Sequence, residues 1–386
     1  MREGHNKNNP ELVKKLVEEA PTTMHWLEGK GLGFWPKVRV IVGGLYPRGH
    51  SAEGGGYGYV KVLEKFIKAY PDKVKVFTDT QAVKLIKNEA GKVIGVVGKQ
   101  DGKTVNFMAS KGVIIATGGF GSNVEMRQAR NTGVWKEVTL DKNIPCTNNF
   151  KASQGDGLKL AEQVGANLIN LDDIQLHPGG TPKTGIMSFW PSGRNRIFLT
   201  PQGDRFVNED AARDTLCKAI FKEGGNYWIV SNHVKYPTLD YLSKNLTIGE
   251  MIKLGQAFSG NTIEELAQKT GMDPKKLRAS IDTYNNVVTG KIKEDNLGFK
   301  KFTQDDKPMT EGPFYATPMV PAVHHTMGGI QINSAAQVLD KNGQVIPGLF
   351  AAGEVTGGVH GSNRVGGNGI ADAMVFGRVS GQSALK

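Results

Sequence analysis

Toward the C-terminus the sequence gathers groups that could grip an anion beside a planar ligand. His324-His325-Thr326-Met327-Gly328-Gly329 is followed by Gly353-Glu354, by Gly361-Ser362-Asn363-Arg364 and by Gly366-Gly367-Asn368-Gly369-Ile370. Arg364 can hold a carboxylate through two parallel N–H donors, and its delocalised charge stabilises enolate-like density. The apolar run ending at Ala352 reads as a buried strand. Gly353 lets backbone approach a ligand, and Glu354 then offers a carboxylate to a ribose or ribitol hydroxyl. Gly366, Gly367 and Asn368 open a helix, with Gly369 and Ile370 in its first turn. Its N–H groups and positive dipole end suit an electron-rich acceptor such as the pyrimidine edge of a flavin.

These residues need elements to position them. Gly112 to Gly119 is an apolar run ending in Thr117-Gly118-Gly119, the pattern of a buried parallel strand that stops at a cofactor crevice. Gly155-Asp156-Gly157 opens a further helix. Asn9-Pro10 starts an amphipathic N-terminal helix, with Asn9 as cap and Leu12, Val13, Leu16, Val17 and Ala20 on one face. A second helix is expected over 59–69 and a short strand over 74–77. Residues 91–97 and 105–109 alternate as a hairpin. Residues 177–213 are rich in Pro, Gly and polar side chains, and two helices are expected near 262–269 and 273–286. That change of pattern marks a middle lid domain over 172–325, between cofactor-domain segments 1–171 and 326–386.

The totals exclude several classes. At 386 residues and 39% apolar content the chain can build two or three cores. Its net charge of +11 is scattered among acids with no basic block or aromatic-basic stripe, which argues against nucleic acid, although a positive field would steer carboxylates toward a cleft. Cys146 and Cys217 have neither disulfide-framework nor metal-ligand spacing, so no metal is expected. No apolar run reaches membrane-spanning length, and Arg2, Glu3, His5 and Lys7 interrupt any signal-peptide core. A soluble chain is expected, with its compartment, cytoplasmic or extracytoplasmic, left open.

The paired His-His-Thr-Met-Gly-Gly and Gly-Ser-Asn-Arg motifs resemble those of the fumarate reductase and succinate dehydrogenase flavoproteins. The likeness is greatest to soluble single-chain bacterial reductases of α,β-unsaturated acids, of the fumarate and urocanate type. It implies an α/β FAD-binding domain, Rossmann-like but incomplete, with an inserted α+β lid. FAD would be the cofactor, and an unsaturated carboxylate the substrate. The electron donor, a haem, FMN or NADH-linked module, would lie outside this chain. Such folds need an early strand–GxGxxG–helix unit to seat the pyrophosphate, and none occurs here. The expectation is a fragment, an incomplete product or one half of a split protein.

By the same resemblance His324 holds the substrate carboxylate with Arg364, and His177 contacts the far end of the substrate. Arg213, after Gly203-Asp204-Arg205-Phe206-Val207-Asn208-Glu209, inherits the role of proton donor. The rival reading makes Arg213 an ion-pair partner of Glu209, Asp210 or Asp214. Asp156 matches a flavin-contacting aspartate, with helix capping as its alternative. The departure lies at the distal pocket. The family's Thr-Glu-x-x-Arg is replaced by a stretch in which Ser188 can stand for the threonine, Phe189 takes the glutamate position and the arginine is lost or moved to Arg194. With Met187, these residues suggest an aromatic pocket for a urocanate-like or cinnamate-like acrylate, with fumarate still open. Two other readings remain: a flavin oxidase or dehydrogenase of the L-aspartate oxidase or ketosteroid dehydrogenase type, and a truncated chain without catalysis.

Overall fold

The computed structural model describes all residues except 42–43, 45, 148–151, 188–193 and 244–245. The helix Pro10–Gly29 begins as the sequence predicts, with the Asn9 side chain accepting from the Glu11 and Leu12 amides. Leu12 and Leu16 are buried while Val17 faces outward, so the apolar stripe is narrower than its sequence pattern. This helix packs on the C-terminal helix Asn368–Leu385, where Arg378 donates to Thr23 Oγ1 and lies over the Trp26 ring.

Around these helices the first core joins distant parts of the chain, including Leu12, Ile115, Phe120, Leu158, Ile330, Leu349 and Phe376. The run before Thr117 gives a short strand, Val113–Ile115, paired in parallel with Val345–Ala351. Its other edge carries no pairing among the described residues, and Ile114 is 40% exposed. The predicted hairpin is present as Val93–Gln100 against Lys103–Met108, extended by Thr80–Lys87 into a three-stranded meander.

Two expectations in this region need correction. The second helix begins earlier, at Gly55, and runs to Lys68. Val74 to Phe77 forms no strand; it is exposed and pairs with no strand among the described residues, and the Val74 amide turns back to the Tyr70 carbonyl, because a strand needs a ladder partner.

The middle of the chain has its own sheet of Ile174–Gly180, Phe314–Thr326, Tyr227–Asn232 and Arg196–Leu199, with Phe258–Gly260 also paired to the long strand. Two further cores line it. One gathers Ile197, Leu266, Leu277, Tyr284 and Phe314, and the other Phe198, Leu216, Ile229, Ile248 and Tyr315. The two expected helices are Ile263–Thr270 and Pro274–Val288, capped by Thr262 and Asp273. The helix Arg213–Lys222 and the thirteen-residue strand Phe314–Thr326 stand out less in the sequence, the strand because Pro318 and Pro321 interrupt its pattern.

That long strand delivers the histidines. It pairs antiparallel with Ile174–Gly180, matching Val323 to Leu176 and His325 to Gln175. The strand advances two residues there while its partner advances one, so His324 is the extra residue of a bulge. Such bulges re-aim side chains at the edge of a sheet.

Candidate active site

His324 and His177 meet with ring centroids 4.9 Å apart. The Gly179 amide donates to His177 Nδ1 at 3.0 Å, so the neutral ring carries its proton on Nε2. Thr147 Oγ1 lies 2.6 Å from His324 Nδ1. Burial, then the fields of His177, Arg213 and Arg364, push the His324 pKa well below the usual histidine range. His324 is therefore neutral; in the tautomer whose Nδ1 accepts from Thr147 its proton sits on Nε2. Thr147 has no motif signal and was not anticipated.

Arg213 and Arg364 are both buried. Arg213 Nη1 donates to Gln175 Oε1 at 2.9 Å, and its Nε has no partner. Arg364 Nη1 donates to the Val365 carbonyl, and its Nε is likewise unpartnered. Among the described residues neither guanidinium has a carboxylate within ion-pair distance. The acids proposed as partners of Arg213 are engaged elsewhere: Glu209 with Arg205, Asp210 with Arg194 and Arg196, and Asp214 with His5. Burial, then repulsion from Arg364, holds the Arg213 pKa well below the ordinary arginine value. Burial lowers Arg364 to about 10, against the pull of Glu354 and Asp372. Two desolvated cations with free donors form a receptor for an anion.

Arg194 goes elsewhere. Its guanidinium is paired with Asp306 and again with Asp210, so its donors serve an ion lattice of the middle region and are not presented to a ligand. Met187 is buried. Ser188 and Phe189 lie outside the described residues.

The end expected to face a flavin is built from glycines and one acid. Thr326 N donates to Glu354 Oε1 at 3.0 Å, and His325 Nε2 is 3.8 Å from Glu354 Oε2. Burial raises the Glu354 pKa to about 7. Any side chain at Gly119 would run into Thr326 Oγ1 and the Glu354 carboxylate, and one at Gly369 would press on the Arg364 guanidinium and His325 Nε2. The C-terminal helix starts at Asn368 after Gly367, whose φ of 84° is costly for other residues. Gly367, Asn368 and Ile370 are exposed at that start, as are Ala116 and Thr117 beside Gly118. These surfaces fit a planar heterocycle approached by backbone N–H groups. Asp156 is the first residue of the helix Asp156–Glu162; Gly155 occupies the cap and no side chain caps there, so the capping alternative fails.

Four polar residues of the site carried no assigned role in the sequence: Gln175, His360, Asn363 and Asp372. His360 Nε2 is 3.1 Å from Asp372 Oδ2, and its ring stands edge-on to His325 at 5.4 Å. All four are buried polar side chains, a signal invisible until the fold places them.

The glycine-lined helix start fits a planar cofactor and the paired arginines fit an anion, and comparison with known proteins names the family. Residues 1–370 match the family model described as FAD binding domain, and the chain belongs to that family. It is 37% identical over 383 residues to an NADH:acrylate oxidoreductase of Vibrio harveyi, covering 97% of this chain and 37% of that protein. It is 35% identical over 398 residues to a urocanate reductase of Eggerthella lenta, covering 99% of this chain and 62% of that protein. Among solved structures, the open conformation of a flavocytochrome c3 fumarate reductase superposes with a TM-score of 0.73 at 32% identity. That match covers 100% of this chain and 65% of the other. The chain thus spans less than two thirds of the length of these relatives. No helix among the described residues is long and apolar enough to cross a membrane.

Proposed function

We propose that this chain carries the substrate and flavin-face machinery of a reductase acting on the carbon–carbon double bond of an α,β-unsaturated carboxylate. The observation that carries the reading is the pair Arg213 and Arg364, both buried, each with an unbonded Nε, and neither with a carboxylate at ion-pair distance among the described residues. Reduced FAD, when bound, supplies the hydride that adds to the β-carbon. Arg364 and neutral His324 pin the carboxylate, and the Arg364 charge stabilises the electron density that builds at the α-carbon. Arg213 gives a proton to that carbon: one guanidinium N–H bond breaks as the C–H bond forms, and the guanidine regains its proton from water. Arginine is ordinarily too weak an acid for this role. Burial beside a second cation answers that objection, because both effects favour release of the proton.

In this reading residues 172–325 act as a lid that excludes water and brings Arg213 to the substrate. Acids with one carboxylate, urocanate-like or other acrylates, are favoured over fumarate. The sequence from Met187 to Arg194 lacks the family's distal acid, and the Arg194 guanidinium is held by Asp306 and Asp210. The relatives named for acrylate and urocanate reduction support the same class.

The test is anaerobic oxidation of a reduced dye by the flavin-reconstituted protein with acrylate, urocanate, cinnamate and fumarate. Turnover of one or more acrylates is expected. Turnover of fumarate alone would refute the single-carboxylate pocket. Oxygen uptake with an amino acid or steroid, and no dye oxidation with any acid, would favour an oxidase instead.

A further inference from the structure

A single buried side chain joins the two arginines. Gln175 Oε1 accepts from Arg213 Nη1 at 2.9 Å, while Gln175 Nε2 donates to Asn363 Oδ1 at 2.7 Å and to the Arg364 carbonyl at 2.9 Å. Flipping the amide would set its NH2 against the guanidinium and its oxygen against two acceptors, losing all three bonds. The orientation is therefore fixed. The three bonds bridge separate segments: the strand Ile174–Gly180, the helix Arg213–Lys222 and the loop leading to the C-terminal helix. Asn363 extends the tie, since its Nδ2 donates to Asp214 Oδ1 at 3.3 Å, next to Arg213 in sequence.

We propose that Gln175 is a positioning residue that fixes the aim of Arg213 relative to Arg364 and keeps the Arg213 charge uncompensated. The inference rests on the reading that Arg213 donates the proton. The residue type matters as much as the geometry. An amide oxygen orients a guanidinium as well as a carboxylate oxygen does, but brings no negative charge. A glutamate in the same place would neutralise Arg213, strengthen its hold on the proton and repel the substrate's carboxylate. Elsewhere the lid does pair buried arginines with carboxylates, as Arg205 with Glu209 and Asp295. The neutral partner at Arg213 is thus a local departure from the lid's own pattern.

The variants Gln175→Glu and Gln175→Leu test this in the flavin-reconstituted protein, by turnover of the acrylate panel and by thermal unfolding. Gln175→Glu should lose at least about tenfold in kcat, a part of what a general acid contributes. In that variant the second carboxylate oxygen would face two acceptors, Asn363 Oδ1 and the Arg364 carbonyl, so Gln175→Glu and Gln175→Leu should both unfold below wild type at pH 7. What separates them is pH. As pH falls and the new carboxyl takes up a proton, it loses its charge and regains an O–H donor, so kcat of Gln175→Glu should recover toward wild type while that of Gln175→Leu should not. Propionate, a saturated carboxylate, should raise the melting temperature of wild type but not of Gln175→Glu at pH 7. Turnover of Gln175→Glu within twofold of wild type at pH 7 overturns the proposal, as does a loss that does not lessen with falling pH. If wild type reduces none of the acids, the functional reading fails; the propionate shift still decides whether Gln175 faces an uncompensated Arg213.

Discussion

Two sets of arginines, largely withdrawn from water, differ in their company; a further buried one, Arg127, is held by the main-chain carbonyls of Gly121, Leu140, Asp141 and Ile144. In the middle region, Arg194 pairs with Asp306 and Asp210, Arg196 with Asp210, and Arg205 with Glu209 and Asp295. At the site, Arg213 and Arg364 face an amide and a carbonyl. Burial works against the charged form in both sets. In Arg194 and Arg205 the hydrogen bonds and attraction of the acids outweigh burial, and the pKa rises; in Arg213 and Arg364 it falls. One set closes a lattice and the other is left for an anion to complete. A buried cation without a counter-charge is costly; Arg127 offsets that cost with main-chain carbonyls, whereas Arg213 and Arg364 each keep an unbonded Nε, as an anion site requires.

The strongest test separates function from stability. Arg213→Ala should reduce turnover of the best acrylate by about 10²–10⁴-fold, the usual worth of a positioned acid. Its melting temperature should hold or rise, because an uncompensated buried charge is removed. Arg205→Ala should do the reverse. Leaving Glu209 and Asp295 buried without their cation costs about 3–5 kcal/mol, readable as a lower denaturation midpoint. A marked loss of stability in Arg213→Ala would erase the distinction between the two sets.

A smaller effect concerns Glu354, the acid nearest to compensating Arg364. Its pKa in the folded chain is raised to about 7, first by burial. A carboxyl with a raised folded pKa stabilises the fold below its unfolded pKa, and that contribution is lost as pH rises from about 4.5 to about 7. At about 1.4 kcal/mol per unit the loss is on the order of 3 kcal/mol. Glu354→Gln keeps the bond from the Thr326 amide but cannot ionise. The variant should match wild type near pH 4.5 and be the more stable of the two at pH 8. Equal pH dependence in the two proteins would show that Glu354 is ionised throughout, and that Arg364 is better compensated than its geometry indicates.

The sequence made one half of this comparison legible. Arg364, His324, Glu354 and the Gly367-Asn368 helix start lie in contiguous motifs whose local backbone fixes them, and the structure brings Arg213, His177 and Thr117-Gly118 toward the same region from afar. The strands at 93–108 and the capped helices Ile263–Thr270 and Pro274–Val288 were readable from alternation and caps. The ties between segments were not. Gln175, Thr147, Asn363 and the His360–Asp372 pair act through partners as far as 189 residues away, and nothing local marks a buried amide or hydroxyl. Arg194 misled for the same reason, since its displaced position suggested a ligand contact while Asp306, 112 residues on, claims its guanidinium. Val74 to Phe77 misled in the other direction: strand-like composition does not supply a strand partner.

The smallest effect is also the most direct probe of what the site arginines await. A saturated monocarboxylate such as propionate offers the anion without the double bond, so it can bind but not react. At ten times its dissociation constant it should stabilise wild type by about 1.4 kcal/mol, seen as a rise of a few degrees in melting temperature. Arg364→Ala should abolish the shift. Arg194→Ala loses stability but should keep it, because its partners are already inside the protein. Sulfate or chloride at the same ionic strength controls for screening, which acts on exposed pairs and reaches buried ones far less. A shift lost in Arg194→Ala and kept in Arg364→Ala would place the anion in the lattice around Arg194 and invert the assignment of the two sets.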